Sequence, residues 1–162
     1  MSSSLINEKG SKNETRLSYL FDENTFMQID SLVKSDDEYT GVTTGFGYIN
    51  VLPAYVFCQD KSVNGAPISK AHALKILKIY ELSLKTGTPV IGIYDSIGAK
   101  LDEQNEMLKI YGKVLKVSNK LSGVVPQISL ILGDCIGTSA LIAMASDIIV
   151  MQKDARLGLE TD

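Results

Sequence analysis

From Pro89 to Gln152 the chain alternates short apolar runs with amphipathic stretches. "PVIGIYDS" (89–96) is an unbroken apolar run of the kind found in buried parallel strands. "IGAK" leads from it into a helix of about 20 residues ending near Gly123. "VPQISLILG" then predicts a second buried strand, "TSALIAMA" a helix and "SDIIVMQ" another strand. Strands and helices in that order, joined by short glycine-bearing links, predict right-handed crossovers and a mainly parallel α/β sheet. Ligands of such sheets bind at the carboxyl ends of the strands.

Upstream, the period changes to two. "GVTTGFGYINVLPAYVFCQD" (41–60) alternates as a strand pair does, and Gly45, Gly47 and an Asn50-to-Pro53 turn are expected to break it into a hairpin. Tyr55, Val56, Phe57 and Cys58 would form its buried strand. "SVNGAPIS" reads as a loop, after which Ser69 can cap a helix running to about Lys85. Ala73, Leu77, Tyr80 and Leu84 fall on one face of that helix, and Gly87 and Pro89 mark its stop and the next start. "RLSYLFDENTFMQID" suggests a short helical piece with Asp22 or Asn24 as a cap. Residues 1–14 are polar and read as a flexible amino-terminal arm, leaving 15–162 as one domain.

Composition narrows the partners. The net charge is −3, from 16 basic and 19 acidic residues, without a basic cluster, which argues against nucleic acid. Cys58 and Cys135 lie far apart in apolar contexts, so neither a disulfide nor a metal site is expected, and a reduced, cytoplasmic setting fits. The opening "MSSSLINEKGSKNE" lacks an apolar core of signal-peptide length, and no stretch reaches the roughly 18 apolar residues of a membrane span.

Two links share one form. "YDSIGAK" (94–100) and "GDCIGTSA" (133–140) each pass from an apolar strand through glycine towards a helix. Each would turn unpaired N–H groups and the positive end of a helix to one side of the sheet, which suits an anionic oxygen such as a thioester enolate or a phosphate. The plainer alternative is that Gly98 and Gly137 only permit tight turns. "GDCIG" also fits a nucleophile elbow with Cys135 in place of serine, but an elbow needs a base, and the one histidine, His72, falls inside an expected helix. A small buried cysteine is the simpler reading. His72 is either a core histidine or a group reaching a ligand at the "NGAP" loop, and Asp95 and Asp134 are either bases or helix caps.

Five segments together resemble one family: "RLSYLFDENTFMQID", "GFGYINVLPAYVFCQD", "NGAPISKAHALKI", "ALKILKIYELSLKTGTPVIGIYDSIGAK" and "SGVVPQISLILGDCIG". In sequence and spacing they resemble the amino-terminal half of the biotin-dependent acyl-CoA carboxyltransferases, which include propionyl-CoA carboxylase beta subunits and methylmalonyl- and glutaconyl-CoA decarboxylases. The resemblance implies a crotonase-like fold, a truncated spiral of strand–strand–helix units that binds acyl-CoA at an interface between subunits. By resemblance, Gly137 and Thr138 take the place of the family's oxyanion pair, and Gly65 and Ala66 that of its glycine loop. Gly98, Ala99 and Lys100 match the end of a substrate-binding segment, and His72 matches a histidine found beside that loop. Ile97, Ala66 and Thr138 stand where the resemblance would place glycines, and Lys100 where it would place an arginine. The resemblance further implies biotin on a carrier protein, a carboxyl-terminal carboxyltransferase half or subunit, and a homo- or hetero-oligomer. It leaves two functions: a carboxyltransferase or decarboxylase subunit, or a non-catalytic acyl-CoA-binding or assembly subunit. The same broad fold includes serine peptidases, but Gly137 stands at the nucleophile's position and has no hydroxyl.

Overall fold

The computed structural model describes residues 12–31, 34–35, 38–99 and 104–159. Its centre is a hairpin. Strands β4 (Val42–Ile49) and β5 (Leu52–Gln59) pair antiparallel from Val42↔Gln59 to Ile49↔Leu52. Asn50 and Val51 form the two-residue turn with φ of 48° and 64°, the left-handed pair that matches strand twist. The Asp22 carboxylate accepts the N–H groups of both residues at 2.9 Å, so it anchors the hairpin instead of capping a helix. Gly45 and Gly47 sit mid-strand in β4. Their role is close packing, since a Cβ would stand 2.3 Å from the Phe26 ring at Gly45 and 2.6 Å from the Phe21 ring at Gly47.

β5 continues into a parallel sheet with β6 (Val90–Tyr94), β7 (Gln127–Ile131) and β9 (Ile148–Met151). The crossovers are helix α2 (Lys70–Thr86), helix α3 (Gln104–Leu121), and a short strand β8 (Asp134–Ile136) followed by helix α4 (Thr138–Met144). β8 pairs in parallel with β10 (Arg156–Gly158) outside the main sheet. Strand, second strand and helix thus recur along the chain in the crotonase-like manner, and the parallel sheet and its helices are those the sequence pattern predicts. On the other side, β1 (Met27–Ile29) adds antiparallel to β4, giving the sheet order β1-β4-β5-β6-β7-β9. A small hairpin joins β2 (Lys34–Ser35) to β3 (Glu38–Tyr39).

The two-residue period of β5 fills two cores. Tyr55 and Phe57 face the α2–α3 side with Ile76, Tyr80, Tyr94, Tyr111 and Val114, whereas Ala54, Val56 and Cys58 face Leu17 and Phe21. Those last two belong to or follow helix α1 (Lys12–Leu20).

Three local expectations change. The piece expected to be helical at its amino end is helix only to Leu20, and Met27–Ile29 is a strand because it completes the β4 edge. α1 starts at Lys12, inside the stretch read as an arm, and Asn13 is buried with its amide on the Cys58 carbonyl at 2.8 Å. Leu84 is 40% exposed, whereas Ala73, Leu77 and Tyr80 enter the core and Ser83 is the buried residue of the last turn. No described helix is long and apolar enough to cross a membrane.

Candidate functional site

Three loops meet beyond the carboxyl ends of β5, β6 and β7. Ile97 donates its N–H to the Gly65 carbonyl at 3.0 Å, Ile68 donates to Gly98 O at 2.8 Å, and Ser96 Oγ donates to Ala66 O at 2.7 Å. Ser96 also donates its N–H to Asp134 O at 2.9 Å, which ties the segment after β6 to the turn after β7. Gly65, Ala66, Gly98 and Ala99 are thereby brought together, with Gly137 and Thr138 following β8 on the third loop. Lys100 lies outside the described residues.

Asn64, Gly65 and Ala66 carry φ of 50°, 82° and 47°, a left-handed run in which fully buried Ala66 holds a conformation that costs a Cβ-bearing residue about 1–2 kcal/mol. The loop's N–H groups are largely engaged within it: Gly65 donates to Lys61 O at 2.9 Å and Ala66 to Val63 O at 2.7 Å. Gly137 donates to Gly158 O at 3.0 Å. Thr138 is the first residue of α4, where a backbone N–H has no acceptor inside its own helix. Gly137, at φ 69° and ψ −132°, turns the chain from β8 into α4, and a Cβ there would meet no heavy atom within 4 Å. The "YDSIGAK" link differs from expectation. Gly98 does not open a helix, since Ala99 beside it pairs with Ile68 as a parallel bridge, and its N–H is taken by Ser96 Oγ at 3.1 Å.

Beneath the loops lies a polar network. Arg16 on α1 donates to Asp95 Oδ2 and to the Gln59 carbonyl, both at 2.7 Å. The Gln59 side chain accepts the Asp95 N–H at 3.2 Å and meets His72 Nε2 at 3.0 Å. With the Gln59 amide nitrogen donating to Nε2, the proton of neutral His72 sits on Nδ1 and is given to Thr40 O at 2.9 Å. Burial lowers the His72 pKa to about 4, so the ring is neutral near pH 7. With both nitrogens occupied and no exposed surface, His72 is a core histidine that fixes Thr40 and Gln59, not a group facing a ligand. Asp95 caps no helix. Its carboxylate crosses the face of Gly133, where a Cβ would stand 2.1 Å from Asp95 Oδ1. Arg16 carried no local signal in the sequence, because its partner lies 79 residues away.

Asp134 is equally committed. Lys61 and Arg156 both bind its carboxylate, and these hydrogen bonds hold its pKa down at about 2. Cys135 is 1% exposed, and burial raises its thiol to about 12, which removes the thiolate an elbow nucleophile requires. Both cysteines are free and buried. Among the described residues no group of three or more His, Cys, Asp or Glu could hold a metal ion. A cavity of about 700 Å³ opens between α1 and the start of β4 and touches the first loop at Asp60 and Val63.

The carboxyl transferase domain family matches residues 8–160. Methylmalonyl-CoA decarboxylase subunit alpha of Veillonella parvula is 38% identical over 149 residues, covering 86% of this chain and 29% of the relative. Propionyl-CoA carboxylase beta chain of Roseobacter denitrificans is 40% identical over 150 residues, covering 86% and 29%. The transcarboxylase 12S structure with methylmalonyl-coenzyme A and methylmalonic acid bound superposes with a TM-score of 0.86 at 33% identity, over 91% of this chain and 31% of that one. A Pseudomonas malonate decarboxylase hetero-dimer shares the fold at a TM-score of 0.81 and 20% identity. The chain therefore spans less than a third of the length of the curated relatives it matches. On sequence and on structure alike, the chain belongs to the carboxyl transferase domain family.

Proposed function

We propose that this chain forms the acyl-CoA side of a biotin-dependent carboxyltransferase or decarboxylase site. The observation that carries the reading is the hydrogen-bonded junction of three loops at the carboxyl ends of β5, β6 and β7, the last of which runs through β8 into α4. The Thr138 N–H is the principal donor to the thioester oxygen. Gly137, Gly65 and Ala66 hold the surrounding turns, their N–H groups sharing the oxygen as bifurcated donors. Gly98, Ala99 and Lys100 complete the substrate side. Carboxyl exchange at the α-carbon puts negative charge on the thioester oxygen, and donors already fixed by the loops stabilise it without reorganising. Biotin on a carrier protein takes up or supplies the carboxyl group, and a carboxyl-terminal carboxyltransferase half or subunit presents it. The relatives fit this chemistry, since one solved structure holds methylmalonyl-coenzyme A. Two buried free thiols suit a reducing cytoplasm.

A second reading, a non-catalytic acyl-CoA-binding or assembly subunit, is favoured by one observation: the N–H groups of Gly65, Ala66 and Gly137 already have carbonyl partners. The replacement Thr138→Pro separates the readings. Proline suits the first position of a helix and removes the N–H, and Thr138→Ala, which keeps the N–H and lacks the hydroxyl, is the control for the side chain. With the fold intact by circular dichroism, carboxyl exchange in the assembled complex should drop by 10²–10³, the usual cost of one oxyanion donor, on the order of 3–4 kcal/mol. Unchanged exchange in Thr138→Pro refutes the oxyanion role, and no exchange by the unaltered chain with any biotin carrier favours the assembly reading.

A further inference from the structure

Helix α1 is fixed to the carboxyl end of β5 by two side chains one turn apart. Asn13 donates to Cys58 O at 2.8 Å, and Arg16 Nη1 donates to Gln59 O at 2.7 Å. The second arm of the guanidinium, Nη2, reaches Asp95 Oδ2 at 2.7 Å, and the two side chains are only 18% and 8% exposed. One planar cation thus ties the last residue of β5 to the first residue after β6.

Asp95 is held on its other sides as well. Its N–H goes to Gln59 Oε1 at 3.2 Å, and its Oδ1 lies over Gly133 in the turn after β7, where a Cβ would stand 2.1 Å from it. The next two residues are the ones that join the loops. Ser96 donates its N–H to Asp134 O at 2.9 Å and its Oγ to Ala66 O at 2.7 Å, and Ile97 donates its N–H to Gly65 O at 3.0 Å. The guanidinium therefore acts one residue away from the point where all three loops are bonded together.

We infer that Arg16 is a positioning residue for the acyl-CoA site, which sets the loop after β6 against the other two by holding Asp95 over Gly133. The inference rests on the acyl-CoA reading above. Arg16 acts through Asp95 and is given no contact with the reacting atoms. Without the guanidinium, Asp95 is a nearly buried carboxylate that has lost its cation, and its swing towards water carries the Ser96 hydrogen bonds with it. Lysine restores the charge but not the planar fork, so it cannot hold Asp95 and Gln59 O in the same geometry.

The test is calorimetric titration of the full chain, Arg16→Ala and Arg16→Lys with propionyl-CoA, each with its fold checked by circular dichroism. Arg16→Ala should bind at least about 10-fold more weakly, the equivalent of one hydrogen bond to a charged group, and Arg16→Lys should fall in between. Guanidinium chloride at millimolar concentration, far below a denaturing one, should restore part of the affinity of Arg16→Ala by refilling the vacated place, whereas urea at the same concentration should not. A residue that only stabilises the fold would lower the denaturant midpoint and leave the affinity of the folded chain unchanged. Unchanged affinity in the variants, or a loss in Arg16→Ala that guanidinium does not relieve, overturns the inference and leaves the acyl-CoA reading standing. Failure of the unaltered chain to bind propionyl-CoA overturns both. Where Arg16→Ala does not fold, Arg16→Lys decides: affinity equal to that of the unaltered chain overturns the inference.

Discussion

His72 enters the core uncharged, and that makes stability depend on pH. Its pKa is 6.5 in an unfolded chain and about 4 in the folded one. Between those values the unfolded chain binds a proton that the native state refuses, so stability falls as the pH drops from about 6.5 to about 4 and is complete above that window. The full effect is on the order of 3 kcal/mol. Urea midpoints measured at pH 7.5 and 4.5 should show this loss, and His72→Gln, which keeps a donor and an acceptor, should flatten it. An unchanged slope in the variant would mean that other groups titrate there. The sequence marked His72 as notable because it is the sole histidine, yet what it does depends on Thr40 and Gln59, 32 and 13 residues away in the chain. The same holds for Asp95. Its place after an apolar strand was legible, whereas its pairing with Arg16 and its passage over Gly133 are products of folding.

At the scale of elements, short-range signals bound α2 on both sides. α2 is bounded by Ser69, whose Oγ accepts the His72 N–H, and by Gly87 at φ 69°, whose N–H closes on Ser83 O, and both are short-range signals. β8 was not legible. Three residues carry no period, and they are a strand only because Arg156–Gly158, about 22 residues on, lies alongside. β1 was hidden in the same way by its dependence on β4. α3 offers a clean test of helix energetics. Gly112 lies exposed within it, and a Cβ there would meet nothing within 4 Å. Gly112→Ala should therefore stabilise the chain by roughly 0.5–1 kcal/mol, read as a higher denaturant midpoint, since glycine costs that much in a helix interior. A lower midpoint would show that Gly112 serves some packing purpose on that face.

For the molecule as a whole, β9 is the last strand of the sheet and has no neighbour on its outer side among the described residues. Ile148, Ile149, Val150 and Met151 of β9 are 41–54% exposed, and Leu141 and Met144 of α4 are exposed near them. Four apolar residues on an open sheet edge favour association with another polypeptide surface. In sedimentation the chain should gain mass with concentration, and Val150→Lys should reduce that gain; a strict monomer at high concentration would contradict it. The sequence disclosed these apolar residues as a strand but not their exposure, which depends on what packs outside β9. The central claim concerns the carboxyl ends of the parallel strands, where the loops carrying Gly65, Ser96 and Asp134 meet. It is tested most directly by titrating the chain with propionyl-CoA and with free CoA in parallel. Micromolar binding that favours the thioester is the expected result, because the proposed function has the loops recognise the thioester oxygen, which free CoA lacks; equal affinity for free CoA, or no binding of either, would contradict it.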